Sequence, residues 1–179
     1  MTRFVGIDPS TKTGICILDT NGNVLDAYEI EKEGKDPERM ASIIDETISN
    51  VEHGDVVAIE GFGFGSGSGF ILGGIGWGMR MELYNRNINY LEVAPSALKK
   101  FASGKGNINK DVLAVEIFKR WEYEHASDNV RDAFVLAQIA RAARMGTSTT
   151  QFQKDVIQTI LAPPEEKAEK KSKKRKKKA

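Results

Sequence analysis

Three short apolar runs lie within the first thirty residues, joined by connections too short to cross over a sheet. They are Arg3 to Ile7, Thr13 to Leu18 and Val24 to Ile30, the last two separated by the turn signal Asn21-Gly22-Asn23. A parallel pair needs a crossover of roughly a dozen residues or more, so an antiparallel meander is expected. Helical spacing follows from Pro37 to Val51, where Met40, Ile43, Ile44, Ile48 and Val51 recur every three or four residues. Pro37 suits the first helical turn, where its missing N–H costs little. The next run, Asp55 to Glu60, is continuously apolar through Val56-Val57-Ala58-Ile59. That predicts a buried strand beside the first one.

Glycine supplies nine of the eighteen residues from Gly61 to Gly78, with Phe62, Phe64, Phe70 and Trp77 between them. A loop leading into a helix from near Phe70 to about Arg86 is expected. Glycines weaken a helix, so close packing against another backbone is their expected role here. Trp77, Met79, Met81, Leu83 and Tyr84 on that helix serve either the core or a dimer interface. Tyr90 to Val93 reads as a fifth strand, Pro95 to Ala102 as a short helix and Ser103 to Ile108 as a loop. Asn109 to Tyr123 reads as a helix capped by Asn109. Ser127 to Met145 and the amphipathic stretch Gln151 to Leu161 read as two more. The order predicts one α/β domain over residues 1–162, with a mixed five-stranded sheet flanked by helices.

No apolar run approaches the roughly 20 residues of a membrane-spanning helix, no secretory h-region opens the chain, and the single Cys16 forms no internal disulfide. A cytosolic protein is expected. The net charge of +1 hides an asymmetry. Residues 163–179 hold nine Lys/Arg and three Glu, which leaves 17 basic and 22 acidic residues in the rest. A lysine-rich tail of this kind repels itself and is expected to be disordered. Contact with nucleic-acid phosphates is its expected use, against the alternatives of a solubilising tail or an import signal.

Asp8 follows the apolar run ending Val5-Gly6-Ile7, and Glu60 follows the run ending Ala58-Ile59. Both acids therefore end central strands. If those strands are neighbours, the carboxylates lie side by side and repel unless a cation or a proton sits between them. Oxygen donors of this kind suit Mg²⁺ or Mn²⁺. Asp128 and Asp132 stand one helical turn apart on one face. Asp132 opens the apolar run Ala133-Phe134-Val135-Leu136-Ala137, which points it toward the interior. Each acid also has a plainer role: a turn before Pro9 for Asp8, a strand-end charge for Glu60, an N-cap for Asp128, a surface ion pair for Asp132. The two histidines, His53 and His125, are expected at the surface.

Gly6-Ile7-Asp8-Pro9-Ser10 with Thr13-Gly14-Ile15 resembles the first motif of the RuvC-type Holliday junction resolvases, and Ala58-Ile59-Glu60 with Phe62 and Phe64 resembles the second. Pro95-Ser96-Ala97-Leu98-Lys99-Lys100, Gly104-Lys105-Gly106 and Asn109-Lys110 resemble the family's basic DNA-contacting segment. Asp132 to Ala137 resembles its last catalytic helix. The similarity runs from about Met1 to Met145. It implies a ribonuclease-H-like (retroviral-integrase-like) fold, a homodimer, and metal-dependent symmetric cutting of four-way DNA. Asp8, Glu60 and Asp132 match the catalytic acids, and Lys99 and Lys110 match basic residues near the scissile phosphate. The usual fourth acid, or histidine, stands three residues before the last Asp. Here that position is Asn129, so Asp128 is favoured as the fourth ligand and Asn129 is the fallback.

The expected chemistry is phosphodiester hydrolysis with two Mg²⁺ ions (Mn²⁺ substituting) held by Asp8, Glu60, Asp128 and Asp132, and no small-molecule cofactor. Lys110 or Lys99 stabilises charge on the phosphate. Lys99, Lys100, Lys105 and Lys110 offer backbone contacts to DNA. Phe62 or Phe64 either enters unstacked bases or packs the loop. A broader nuclease acting on flaps and branched DNA uses nearly the same residues. A junction-binding dimer without cleavage is the non-enzymatic alternative. A sugar kinase or actin-like ATPase, suggested by the resemblance of Gly6 to Thr11 to that superfamily's first phosphate loop, requires two duplicated domains, and the sequence shows no repeat and is too short for them. Among sources, a bacteriophage is favoured over a bacterium.

Overall fold

The computed structural model describes residues 2–62 and 69–162. Phe64 and the lysine-rich segment 163–179 lie outside the described residues. Strand β1 (Phe4–Asp8) pairs antiparallel with β2 (Lys12–Leu18), and β2 pairs antiparallel with β3 (Val24–Glu31). This is the expected meander. Helix α1 (Glu38–Ser49) then carries the chain over the sheet, and β4 (Val56–Glu60) returns parallel to β1. Helix α2 (Gly69–Asn85) makes a second crossover to β5 (Tyr90–Val93), parallel to β4. The sheet order is β3-β2-β1-β4-β5. Four helices follow: α3 (Pro95–Ser103), α4 (Lys110–Trp121), α5 (Asp128–Met145) and α6 (Gln151–Leu161).

The central strands are buried on both faces, and the two-residue period of a strand divides their side chains between two cores. Val5, Ile7, Ile15, Ile17, Val57 and Ile59 face α1 and α2, where they meet Ile43, Ile48, Ile75, Met79 and Leu83. Phe4, Cys16, Leu18 and Ala58 face the opposite layer, built around α5 with α3, α4 and α6. Full burial of one such isoleucine or leucine stabilises the fold by roughly 1.5–3 kcal/mol.

Two glycines bring α5 onto the sheet. A Cβ on Gly6 would stand 1.9 Å from the Ala133 carbonyl oxygen and 2.5 Å from the Ala137 nitrogen. One on Gly14 would stand 2.1 Å from the Asn129 carbonyl oxygen. The helix backbone therefore rests directly on β1 and β2, and Ala133 to Ala140 is buried on every side. Gly6-Ile7-Asp8 thus combines a contact surface for α5 with an acid one step beyond it.

Several local details differ from expectation. Pro37 is the N-cap of α1 rather than a first-turn residue, and α1 starts at Glu38. Asn109 caps α4, its side chain accepting from the Val112 N–H, but the helix stops at Trp121 because Glu122 turns left-handed at φ 53°. Ser127, not Asp128, is the N-cap of α5. The α2 residues divide: Met79 and Leu83 are buried, whereas Trp77, Met81 and Tyr84 are exposed. His53 is exposed and His125 is half-buried at the surface, its Nδ1 accepting the Ser127 N–H at 3.1 Å just ahead of α5. Among the described residues no helix is long and apolar enough to cross a membrane.

Candidate active site

Asp8 and Glu60 meet because β1 and β4 are parallel neighbours in register. The pairing runs Gly6 with Ala58 and Ile7 with Ile59, and the two acids come next on each strand. Strand alternation puts Asp8 on the face of Phe4 and Gly6, and Glu60 on the face of Ala58. That face is the one α5 covers, and α5 brings Asp132 to both. Three carboxyls from three elements thus come together at the C-terminal ends of the two strands.

Their electrostatics are those of crowded, desolvated acids. Burial, the nearby Glu60 charge and a hydrogen bond with Glu60 hold the Asp8 carboxyl well above the usual carboxylate range. Burial pushes Glu60 up to about 7; Asp132 adds to the rise, while the hydrogen bond with Asp8, Lys99 and Lys110 oppose it. Burial likewise pushes Asp132 up to about 7, with Asp8 adding and Lys110 opposing. Asp128 differs: its carboxylate pairs with the Lys110 ammonium, which holds it below the ordinary value. Its charge still reaches both Asp8 and Asp132. The Asn129 amide donates to the Lys12 carbonyl at 2.8 Å and to Glu29 Oε1 at 3.2 Å, on the β2–β3 side.

Among the described residues no three His, Cys, Asp or Glu side chains close into a ready-made metal cage. The donors stand as a hydrogen-bonded Asp8–Glu60 pair with Asp132 beside it and Asp128 drawn onto Lys110. The donor set nevertheless fits a hard divalent cation. It offers only carboxylate oxygens, and their mutual repulsion is relieved either by a proton or by a cation.

The basic residues lie around this group. Lys99 on α3 and Lys110 at the start of α4 both act on Glu60 and Asp132 electrostatically. Lys100 is half-buried on α3 and Lys105 is exposed in the following loop. Phe62 is half-buried beside Glu60, in a cleft it shares with Pro9, Leu72, Gly73 and Arg80. The sequence patterns did not single out Arg80 or Glu92, which bond each other at 3.1 Å beside this cleft. One signal was available: Arg80 is the only charged residue between Gly61 and Met81.

No family model and no curated protein matches the sequence. Solved structures do. The chain superposes on the Thermus thermophilus RuvC structure with a TM-score of 0.66 at 19% identity, covering 82% of this chain and 98% of that one. It superposes on T. thermophilus RuvC in complex with a Holliday junction substrate with a TM-score of 0.64 at 19% identity, covering 83% and 98%. With a mixed five-stranded sheet and six flanking helices among its described residues, this chain has the fold of RuvC.

Proposed function

We propose that this protein is a metal-dependent endonuclease that resolves four-way DNA junctions by phosphodiester hydrolysis. The observation that carries the proposal is the meeting of Asp8, Glu60 and Asp132, from β1, β4 and α5, beneath Lys99 and Lys110. The likeness of fold to RuvC, solved with a Holliday junction, supports four-way DNA as the substrate.

Asp8, Glu60 and Asp132 would hold Mg²⁺ or Mn²⁺, with Asp128 as the fourth donor; Asn129 is engaged elsewhere. When bound, two such ions supply an activated water and stabilise the leaving oxygen. The chain's own residues do the rest. The α5 backbone against Gly6 fixes Asp132 relative to Asp8. Burial keeps the acids from being solvated separately. Lys110 and Lys99 offset the phosphate's charge, and the Asp128 pair keeps the Lys110 ammonium protonated, raising it above its ordinary value. Lys100 and Lys105 contact the DNA backbone and set position rather than sequence. Phe62 lies beside the acids, where an unstacked base would reach it.

A homodimer belongs to the same proposal. Phe70, Trp77, Met81 and Tyr84 are 94%, 59%, 58% and 80% exposed along α2. Helical spacing gathers them toward one side. A two-fold dimer through this stripe would present one site to each of two strands of a four-way junction.

The test is cleavage of a labelled four-way junction, a flap and a plain duplex, with Mg²⁺ or EDTA, by wild type and Asp8→Asn. Paired symmetric nicks confined to the junction, lost in EDTA and in Asp8→Asn, are expected. Equal cutting of flaps would replace this proposal with a general branched-DNA nuclease. Tight binding without cutting in either Mg²⁺ or Mn²⁺ would replace it with a non-catalytic junction binder.

A further inference from the structure

Arg80 is a cation buried to 3% exposure on an otherwise apolar stretch of α2. Its side chain reaches three acceptors at once. Nη2 donates to the Glu60 carbonyl oxygen at 2.8 Å, Nε to Glu92 Oε2 at 3.1 Å and Nη1 to the Gly76 carbonyl oxygen at 2.8 Å. The guanidinium carbon also lies 4.4 Å from the centroid of the Phe62 ring. That ring meets Trp77, with centroids 5.5 Å apart. At Gly76 this arrangement leaves no room for a side chain. A Cβ there would stand 2.8 Å from Phe62 Cε1 and 3.2 Å from Arg80 Nη1.

A buried guanidinium is costly unless its donors are matched, and a leucine or methionine would fill the same core space without that cost. What Arg80 does that they would not is tie elements together. Strand β4 ends at Glu60, and the next backbone bond, from the Gly61 N–H to the Val93 carbonyl at 2.7 Å, is the last the sheet edge provides before Phe62. The fork of Arg80 holds the Glu60 backbone from the α2 side, and its flat face holds Phe62 two residues later. A lysine ammonium lacks both the fork and the flat face.

We propose that Arg80 is a positioning residue of the acid site, clamping the end of β4 so that the Glu60 carboxylate and the Phe62 ring move together. A base seated against Phe62 would then align Glu60. This rests on the roles given above to Glu60 and Phe62.

Two variants test it. Arg80→Lys keeps the charge and loses the fork. Gly76→Ala replaces a poor helix former with the best one while pushing into the Phe62 ring, so lost helix stability would not explain its effect. The measurements are urea unfolding, Mn²⁺ affinity by calorimetry, four-way junction affinity in EDTA, and the cutting rate at saturating protein and metal. Both variants are expected to fold and to bind the junction nearly as wild type. Both are expected to lose about tenfold or more in Mn²⁺ affinity and in cutting rate, as when a group orienting a metal ligand is removed. Wild-type Mn²⁺ affinity in folded Gly76→Ala and Arg80→Lys overturns the proposal, whatever the DNA result. If wild type binds Mn²⁺ but cuts no branched DNA, the nuclease proposal falls, and the Mn²⁺ comparison still decides the role of Arg80.

Discussion

Replacing Glu60 by glutamine removes a charge that the fold holds in a desolvated, acid-lined place, so the variant should be more stable than the wild type without metal. Burial, with Asp132 adding, pushes the Glu60 carboxyl up to about 7 from an ordinary value of 4.5. A group whose folded pKa lies above its unfolded one contributes stability fully below the unfolded value and loses it as pH rises through the folded one. The window is therefore pH 4.5 to about 7. At about 1.36 kcal/mol per pH unit, the loss reaches about 3 kcal/mol by pH 8. Glutamine keeps the shape and sheds the titration. The gap between Glu60→Gln and wild type should be small near pH 5 and approach about 3 kcal/mol near pH 8, roughly 6–12 °C in Tm for a chain of this size. Thermal unfolding in EDTA at several pH values measures it. Added Mg²⁺ should narrow the gap at high pH, because the cation relieves in the wild type what the amide relieves in the variant. A Tm difference that stays constant from pH 5 to 8 would refute the reasoning, since Glu60 would then ionise as an ordinary exposed acid does.

Other perturbations read other parts of the structure. Gly6→Ala forces a methyl against the α5 backbone, and urea unfolding should show a loss of about 3 kcal/mol or more, at the upper end for overpacking. The Tyr123 ring stacks on Phe134 with centroids 3.9 Å apart, and its buried hydroxyl has no hydrogen-bond partner among the described residues; Tyr123→Phe should gain about 1 kcal/mol by removing an unsatisfied group. Lys105→Met should weaken junction binding and reduce the slope of log affinity against log salt by about 1, as one lost phosphate contact does. Met81→Glu places a charge in the exposed α2 stripe, and sedimentation should show a shift from dimer to monomer if that stripe is the interface.

Much of this architecture was legible in the sequence because its signals are local. The tight connections among β1, β2 and β3 force a meander, and the apolar run ending at Glu60 marks a strand buried on both faces. The juxtaposition of Asp8 and Glu60 followed from strand adjacency alone. What escaped notice depended on contacts between distant segments. The clamp of Arg80 on Glu60 joins positions twenty residues apart across a crossover. The ion pair of Asp128 with Lys110 needs the packing of α4 beside α5. The glycines of α2 were expected to serve close packing against another backbone. Those the structure explains instead meet side chains: Gly78 faces Ile44, Gly74 faces Met40 and Gly76 faces Phe62. Residues 151–161, whose role the pattern left open, form α6, with Val156 in the core and Phe152 against Arg120 and Gly104.

The seating of α5 on Gly6 and Gly14 also ties completion of the acid group to completion of the core. In the chain, both strand-end acids precede Asp132, which comes with α5, the fifth helix among the described residues. A nascent chain that stops short of α5 has an open sheet face and an incomplete acid group. The proposed cutting activity would therefore require α5 to be seated on the sheet. A fragment that stops short of α5 would lack both the helix that covers this face of the sheet and one of the three acids.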